Sequence, residues 1–129
     1  MSRWYLDASA ALKLIVDEPE SAALARAIDD EQPDLVACLL LETELRRAAH
    51  RSPALTQQVV SGVLDGISLY GVPASLFAEA GLLPGARLRS LDALHLAAAV
   101  RLGVDRVVAY DTRLVEAARD LGLRVFTPS

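Results

Sequence analysis

Four carboxylates, Asp7, Glu44, Asp92 and Asp111, occupy positions from which acids converge when strands and helices alternate. Asp7 closes the apolar run Trp4-Tyr5-Leu6, and Asp111 closes Val107-Val108-Ala109-Tyr110. In an open parallel sheet, ligands bind beyond the carboxyl ends of the strands where the strand order reverses, so both acids point to that edge. Asp92 falls in the first turn of a helix predicted over Leu91 to Leu102, and Glu44 falls early in the helix after the second strand. Carboxylates crowded on one edge raise one another's pKa unless a cation compensates them. A hard divalent ion, Mg²⁺ or Mn²⁺, prefers such oxygens, and the chain lacks the Cys and His pairs of a zinc site. The chemistry available to such a set is metal-assisted phosphodiester hydrolysis.

Each acid also has an ordinary structural role open to it. Asp7 and Asp111 could cap the helices that follow them, a role worth about 1 kcal/mol. Asp92 in a first turn is favoured by the helix dipole, and Glu44 could be an exposed helical acid, as Glu42 is expected to be. Ser9 could bond Asp7 or cap its own helix, and Thr112 is similarly placed beside Asp111. His95, one turn beyond Asp92 in an apolar stretch, reads as a packed, hydrogen-bonded core histidine. His50 and Cys38 have no functional role in this reading.

The net charge of −4 argues against holding nucleic acid through bulk positive charge, so any such contact must be local. Nearly all the positive charge is arginine, with Lys13 the single lysine. Arginine pairs with phosphate through a planar fork. Arg87 and Arg89, in a basic loop over Gly85 to Ser90, are the nucleic-acid-binding candidates nearest Asp92; Arg46, Arg47 and Arg51 form another cluster. For each arginine taken singly, a solvated surface is the favoured role.

These side chains need elements to position them. Trp4 to Leu6 reads as a strand and Ala8 to Val16 as a helix; Pro19 and Glu20 open a second helix through Ile28, and Asp29 to Asp34 has loop composition. A strand over Leu35 to Cys38 precedes a helix over Leu40 to Arg51. Ser52-Pro53 starts an amphipathic stretch through about Asp65, Ile67 to Val72 is β-compatible, and a short helix runs from Pro73 to near Pro84-Gly85. Ser90 is placed to cap the helix Leu91 to Leu102 and Gly103 to stop it. Val107 to Tyr110 is a strand, Thr112 to Leu121 a helix closed by Gly122, and Arg124 to Phe126 a last strand. Continuous apolar strands separated by helices predict an α/β fold, a three-layer α/β/α sandwich around a central parallel sheet.

The length of 129 residues fits one domain over residues 1–129. Hydrophobic residues make up 53% of the chain and aromatics 5%, so the core must be largely Ala, Leu and Val. That apolar excess points to surface covered by a partner, with scattered exposed Leu and Ala as the other source of part of it. A single cysteine, no signal-peptide pattern and no apolar run near the roughly 20 residues of a membrane span lead to the expectation of a cytoplasmic protein without a membrane.

The segments Tyr5-Leu6-Asp7-Ala8-Ser9-Ala10, Leu41-Glu42-Thr43-Glu44-Leu45-Arg46-Arg47-Ala48, Ser90-Leu91-Asp92-Ala93-Leu94-His95-Leu96-Ala97-Ala98-Ala99 and Tyr110-Asp111-Thr112-Arg113-Leu114 resemble, in order and spacing, the PIN domain of VapC-type toxins from bacterial toxin–antitoxin pairs. The resemblance extends over essentially the whole chain. It implies a Mg²⁺-dependent endoribonuclease, with Mn²⁺ as a substitute, acting on a structured cellular RNA of the tRNA or rRNA class. It also implies a homodimer held in check by a cognate VapB-type antitoxin, and an acidic quartet of Asp7, Glu44, Asp92 and Asp111. Glu44, followed directly by Leu-Arg, matches the family position rather than Glu42. Ala109 departs from the pattern, since similar proteins often carry threonine two residues before the last Asp.

Two other functions compete. A magnesium-binding receiver-like signalling domain would resemble this chain in size and class, but it carries an acidic pair after the first strand and a lysine late in the sheet. Here Asp7 stands alone and Lys13 lies in the first helix. A PIN-like fold kept only as a silent binding module is disfavoured by the intact set of four acids.

Overall fold

The computed structural model describes residues 1–129. Its strands are β1 (Arg3–Leu6), β2 (Asp34–Cys38), β3 (Ser68–Tyr70), β4 (Arg106–Val108) and β5 (Val125–Phe126). The helices are α1 (Ala8–Lys13), α2 (Ser21–Glu31), α3 (Leu40–Arg51), α4 (Gln57–Asp65), α5 (Ala74–Gly81), α6 (Ser90–Leu102) and α7 (Thr112–Asp120). All strand pairs are parallel, in the order β3-β2-β1-β4-β5.

That order carries the functional consequence. From β1 the chain steps outward through β2 to β3, then returns to place β4 on the other side of β1 and β5 beyond it. The direction reverses between β1 and β4, and Asp7 follows β1 directly while Asp111 lies three residues beyond the end of β4. Right-handed crossovers put α1 to α4 on one face of the sheet and α5 to α7 on the other. The packing agrees: α1 meets α3, α3 meets α4, α5 meets α6, and α6 meets α7. Trp4, Tyr5 and Leu6 are all buried although successive side chains point to opposite faces, so both faces are covered. One contiguous core runs from Trp4 to Ala118, built mostly of Ala, Leu and Val as the composition required.

Several element boundaries differ from the sequence reading. α2 continues through Asp29, Asp30 and Glu31, where a loop was expected; Gln32 ends it at φ 47, and Pro33 follows. Glu31 is held by Arg106 at 3.2 Å, a partner 75 residues away. α1 is shorter than expected, its last residues unwinding into turns after Lys13. Ser52-Pro53 begins a turn rather than a helix, and α4 starts only at the Thr56 cap, whose hydroxyl accepts from the Val59 N–H at 3.1 Å. Ser90 is the first residue of α6 and caps nothing; the cap position is Arg89, without a side-chain bond. Gly103 does end α6 in the left-handed conformation, at φ 61.

Candidate active site

Asp7 is the N-cap of α1, and its Oδ1 accepts from the Ala10 N–H at 2.9 Å and from the Ser9 hydroxyl at 2.7 Å. Ser9 Oγ in turn accepts from the Tyr110 N–H at 2.8 Å. One serine therefore stitches the end of β1 to the segment after β4, and so fixes Asp7 relative to Asp111. Asp7 is 4% exposed, one of only two buried polar residues in the chain, the other being His95. Burial pushes its pKa up to about 6 despite the opposing bonds from Ser9 and Ala10, and Asp92 adds to the rise.

Asp111 is the N-cap of α7, its Oδ1 accepting from the N–H groups of Arg113 at 3.0 Å and Leu114 at 3.2 Å. Asp92 lies in the first turn of α6, half-buried, with its carboxyl raised by burial first and by Asp111 second. Glu44 adds to that rise, while His95 and Arg89 oppose it. Asp92 is thus within electrostatic reach of each of the other three acids. The capping role is realised for Asp7 and Asp111, yet every cap bond goes to Oδ1, which leaves Oδ2 of both without a protein donor.

The two acids of α3 separate cleanly. Glu42 pairs with Arg46 four residues on, at 3.1 Å, and Arg46 also reaches Gln57 and Ser61 on the neighbouring segment. That arginine braces α3 against α4 and is not free for a ligand. Glu44 instead turns inward and bonds His95 Nε2. On the far side of the ring, Nδ1 lies 2.7 Å from the Tyr5 hydroxyl and 3.8 Å from Cys38 Sγ. Burial opposes a charge on His95, but the contacts with Cys38 and Glu44 outweigh it and push the ring up to about 10. Burial also opposes the Cys38 thiolate; the His95 contact overrides it and lowers the thiol. The histidine is buried and hydrogen-bonded as expected, but its Nε2 partner is Glu44, a part-exposed acid, rather than a core group. Cys38 and Tyr5, which sequence reasoning left without a role, stand behind it.

Beside Asp92 and Asp111 opens a cleft of about 250 Å³ lined by Arg89, Thr112 and Arg113, with no apolar residue. Arg89 and Thr112 are thereby placed at the acidic edge. Arg87, exposed in the preceding turn, is not part of the lining. Arg113 was missed from sequence, although its position two residues past a helix-capping Asp was the available signal.

The donor set contains carboxylate oxygens and no accessible thiolate or imidazole, which fits a hard divalent cation. No three of these side chains are drawn together tightly enough to enclose an ion as they stand. Glu44 Oε1 is committed to His95 and one oxygen of each capping Asp to backbone, so Oε2 of Glu44, Oδ2 of Asp7 and Asp111 and the Asp92 carboxylate are the oxygens available.

A separate apolar groove of about 400 Å³ runs between α5, the loop after it and α6, lined by Phe77, Leu83, Leu88 and Leu94 among others. Phe77, Leu82, Leu91 and Val100, on α5, α6 and the loop between them, are exposed, which accounts for part of the apolar excess in the composition. No helix is long and apolar enough to cross a membrane.

Comparison with known proteins gives a consistent result. The PIN domain family matches residues 4–120. The chain is 40% identical over 131 residues to the ribonuclease VapC46 of Mycobacterium tuberculosis, covering 100% of each. Among solved structures it is similar to VapC20 of Mycobacterium tuberculosis, a toxin that cleaves the sarcin–ricin loop, with TM-score 0.72 and 15% identity over 88% of this chain and 94% of that one. It is also similar to a chain of VapBC2 from Rickettsia felis, solved bound to a DNA fragment from the promoter, with TM-score 0.74 and 13% identity over 98% and 99% of the two chains. At those identities the structures speak for the fold, which is the three-layer parallel α/β arrangement described above.

Proposed function

The chain belongs to the PIN-domain family, and from that premise we propose that it is a divalent-metal-dependent endoribonuclease, the toxin of a toxin–antitoxin pair. Its acidic site comprises Asp7, Glu44, Asp92 and Asp111, with Mg²⁺ as the ion and Mn²⁺ as a substitute. The observation that supports this reading is the placement of Asp7 and Asp111 beyond β1 and β4 at the reversal point, with Asp92 coupled to both and to Glu44, where burial first and like charge second raise Asp7 and Asp92. A fold gains no stability from such an arrangement unless a cation compensates it.

When bound, a divalent cation supplies the compensating charge and Lewis-acid activation for phosphodiester hydrolysis. The chain's own groups do the rest. Asp7 and Asp111 offer Oδ2 to the edge while their cap bonds hold the carboxylate planes. Asp92 joins them from the first turn of α6. Arg89 and Arg113, in the adjoining cleft, are placed to take the phosphates that flank the cleaved bond, and the fork geometry of arginine suits that task.

The substrate is a structured RNA of the tRNA or rRNA class, a reading supported by the sarcin–ricin activity of the structurally similar VapC20. The protein forms a homodimer and binds a VapB-type antitoxin, as the similarity to a chain of a VapBC assembly supports. The receiver-like alternative finds no support: Lys13 ends α1 and is tied to Glu20 at 2.8 Å and to Glu18 at 3.6 Å. The test is to incubate the purified chain, freed of any partner, with labelled RNA in Mg²⁺, in Mn²⁺ and in excess EDTA. Cleavage confined to the two metal conditions is expected, and undiminished cleavage in EDTA contradicts the reading.

A further inference from the structure

We propose that His95 is a positioning residue for Glu44: its Nε2–H holds the Glu44 carboxylate at the acidic edge, and Tyr5 with the Cys38 backbone fixes the ring that does so. The inference rests on Glu44 belonging to the acidic site.

Three observations carry it. His95 is 1% exposed, in a stretch of α6 where the surrounding positions are Ala and Leu, so packing alone calls for an aliphatic side chain. A buried imidazole is tolerated only where its nitrogens find partners. Both do. Nδ1 meets the Tyr5 hydroxyl at 2.7 Å and Nε2 meets Glu44.

The direction of the chain of bonds is set at its outer end, where the Glu44 carboxylate can only accept. In the neutral ring the proton therefore sits on Nε2, facing Glu44, and bare Nδ1 accepts from the Tyr5 O–H, whose oxygen accepts from the Cys38 N–H at 3.2 Å. In the imidazolium, Nε2 carries a proton as well. Glu44 therefore meets a donor in either state.

The third observation is the span of the contact. Glu44 lies on α3, in the helical layer on one face of the sheet, and His95 on α6, in the layer on the other. Their bond joins the layers over the carboxyl edge. Glu44, whose side chain is 22% exposed, would otherwise sample several rotamers from the second turn of α3. Hydrogen-bond partners behind metal-ligating groups typically matter by about 10- to 100-fold in metal affinity or activity.

The experiment uses the full chain and the variants His95→Leu, His95→Gln, Tyr5→Phe and Glu44→Gln, with thermal melts to establish the folded fraction. In metal-free wild type, ¹⁵N chemical shifts of the imidazole should show a proton on Nε2. Mn²⁺ binding, measured by calorimetry per folded molecule, should weaken by about 10-fold or more in His95→Leu and by about 3-fold or more in Tyr5→Phe. His95→Gln, which can present an N–H near the Nε2 position, should recover most of the affinity lost by His95→Leu. If His95→Leu does not fold, the nitrogen shifts and Tyr5→Phe decide. A neutral ring with bare Nε2, or wild-type Mn²⁺ affinity in folded His95→Leu or in Tyr5→Phe, overturns the proposal. Glu44→Gln separates the premise: wild-type Mn²⁺ binding and RNA cleavage in that variant would remove Glu44 from the site, whatever His95 does.

Discussion

Replacing Asp7 by Asn should stabilise the metal-free protein while abolishing RNA cleavage. In the unfolded chain this carboxyl titrates near 3.8, and in the folded protein near 6. Between those values the folded state holds a proton that the unfolded state has released. Stability is therefore fully present below about pH 4 and is lost as pH rises through about 6, a loss of about 3 kcal/mol from this one group. An Asn at position 7 carries no charge to desolvate, and its amide oxygen can still accept from the Ala10 N–H and the Ser9 hydroxyl, so the cap survives. Relaxation around the charged form reduces the gain to about 1–3 kcal/mol, or roughly 3–12 °C in melting temperature for a domain of this size. The assay is a set of melting curves for both proteins in EDTA from about pH 4 to about pH 8, repeated with Mg²⁺. Asn should melt higher at about pH 7.5, and the difference should vanish near pH 4. Added Mg²⁺ should raise wild type by mass action and leave the variant nearly unmoved. An Asp7→Asn protein that melts lower in EDTA at every pH would show that the carboxylate is a stabilising cap and that the electrostatic argument for the site is wrong.

Ser9→Ala removes the bridge between Asp7 and the Tyr110 backbone, leaving a part-buried N–H without its acceptor; a loss of about 1–3 kcal/mol in denaturant melts is expected, with lower cleavage per folded molecule. Glu42→Ala should lose at most about 0.5 kcal/mol, since its pair with Arg46 is partly exposed, and should keep full cleavage, whereas Glu44→Gln should lose it. Arg89→Ala and Arg113→Ala should each weaken RNA binding and reduce the slope of log affinity against log salt by about 1, while Arg87→Ala should leave that slope unchanged, as read by fluorescence anisotropy across a salt series.

The parts of this molecule legible in its sequence were those governed by local chemistry. An apolar triplet followed by Asp-x-Ser places Asp7 at a strand end, because burial on both faces and the capping preference act within a few residues. The α/β class and the placement of Asp7 and Asp111 beyond β1 and β4 follow from the same logic. What escaped was set by contacts distant along the chain. Asp29 to Glu31 read as loop because they are acidic, but Glu31 has Arg106 to pair with. β4 ends before Ala109 because the Tyr110 N–H goes to Ser9 rather than to a neighbouring strand. His95 was legible as buried, since its neighbours are apolar at helical spacing. Its bond to Glu44 was not, because 51 residues separate the two and the Tyr5 hydroxyl behind the ring is 90 residues away. Arg87 and Arg89 looked equivalent in a basic loop, but Arg87 sits within the Gly85–Leu88 turn while Arg89 lines the cleft beside Asp92 and Asp111.

The acidic edge between β1 and β4 is most directly tested by locating a bound ion. Crystals of the partner-free protein soaked in Mn²⁺, with diffraction recorded at the manganese absorption edge, should give an anomalous peak within coordination distance of Asp7 and of at least one of Glu44, Asp92 and Asp111. Manganese found only elsewhere on the protein, under soaking conditions that sustain RNA cleavage in solution, would contradict the assignment of the active site.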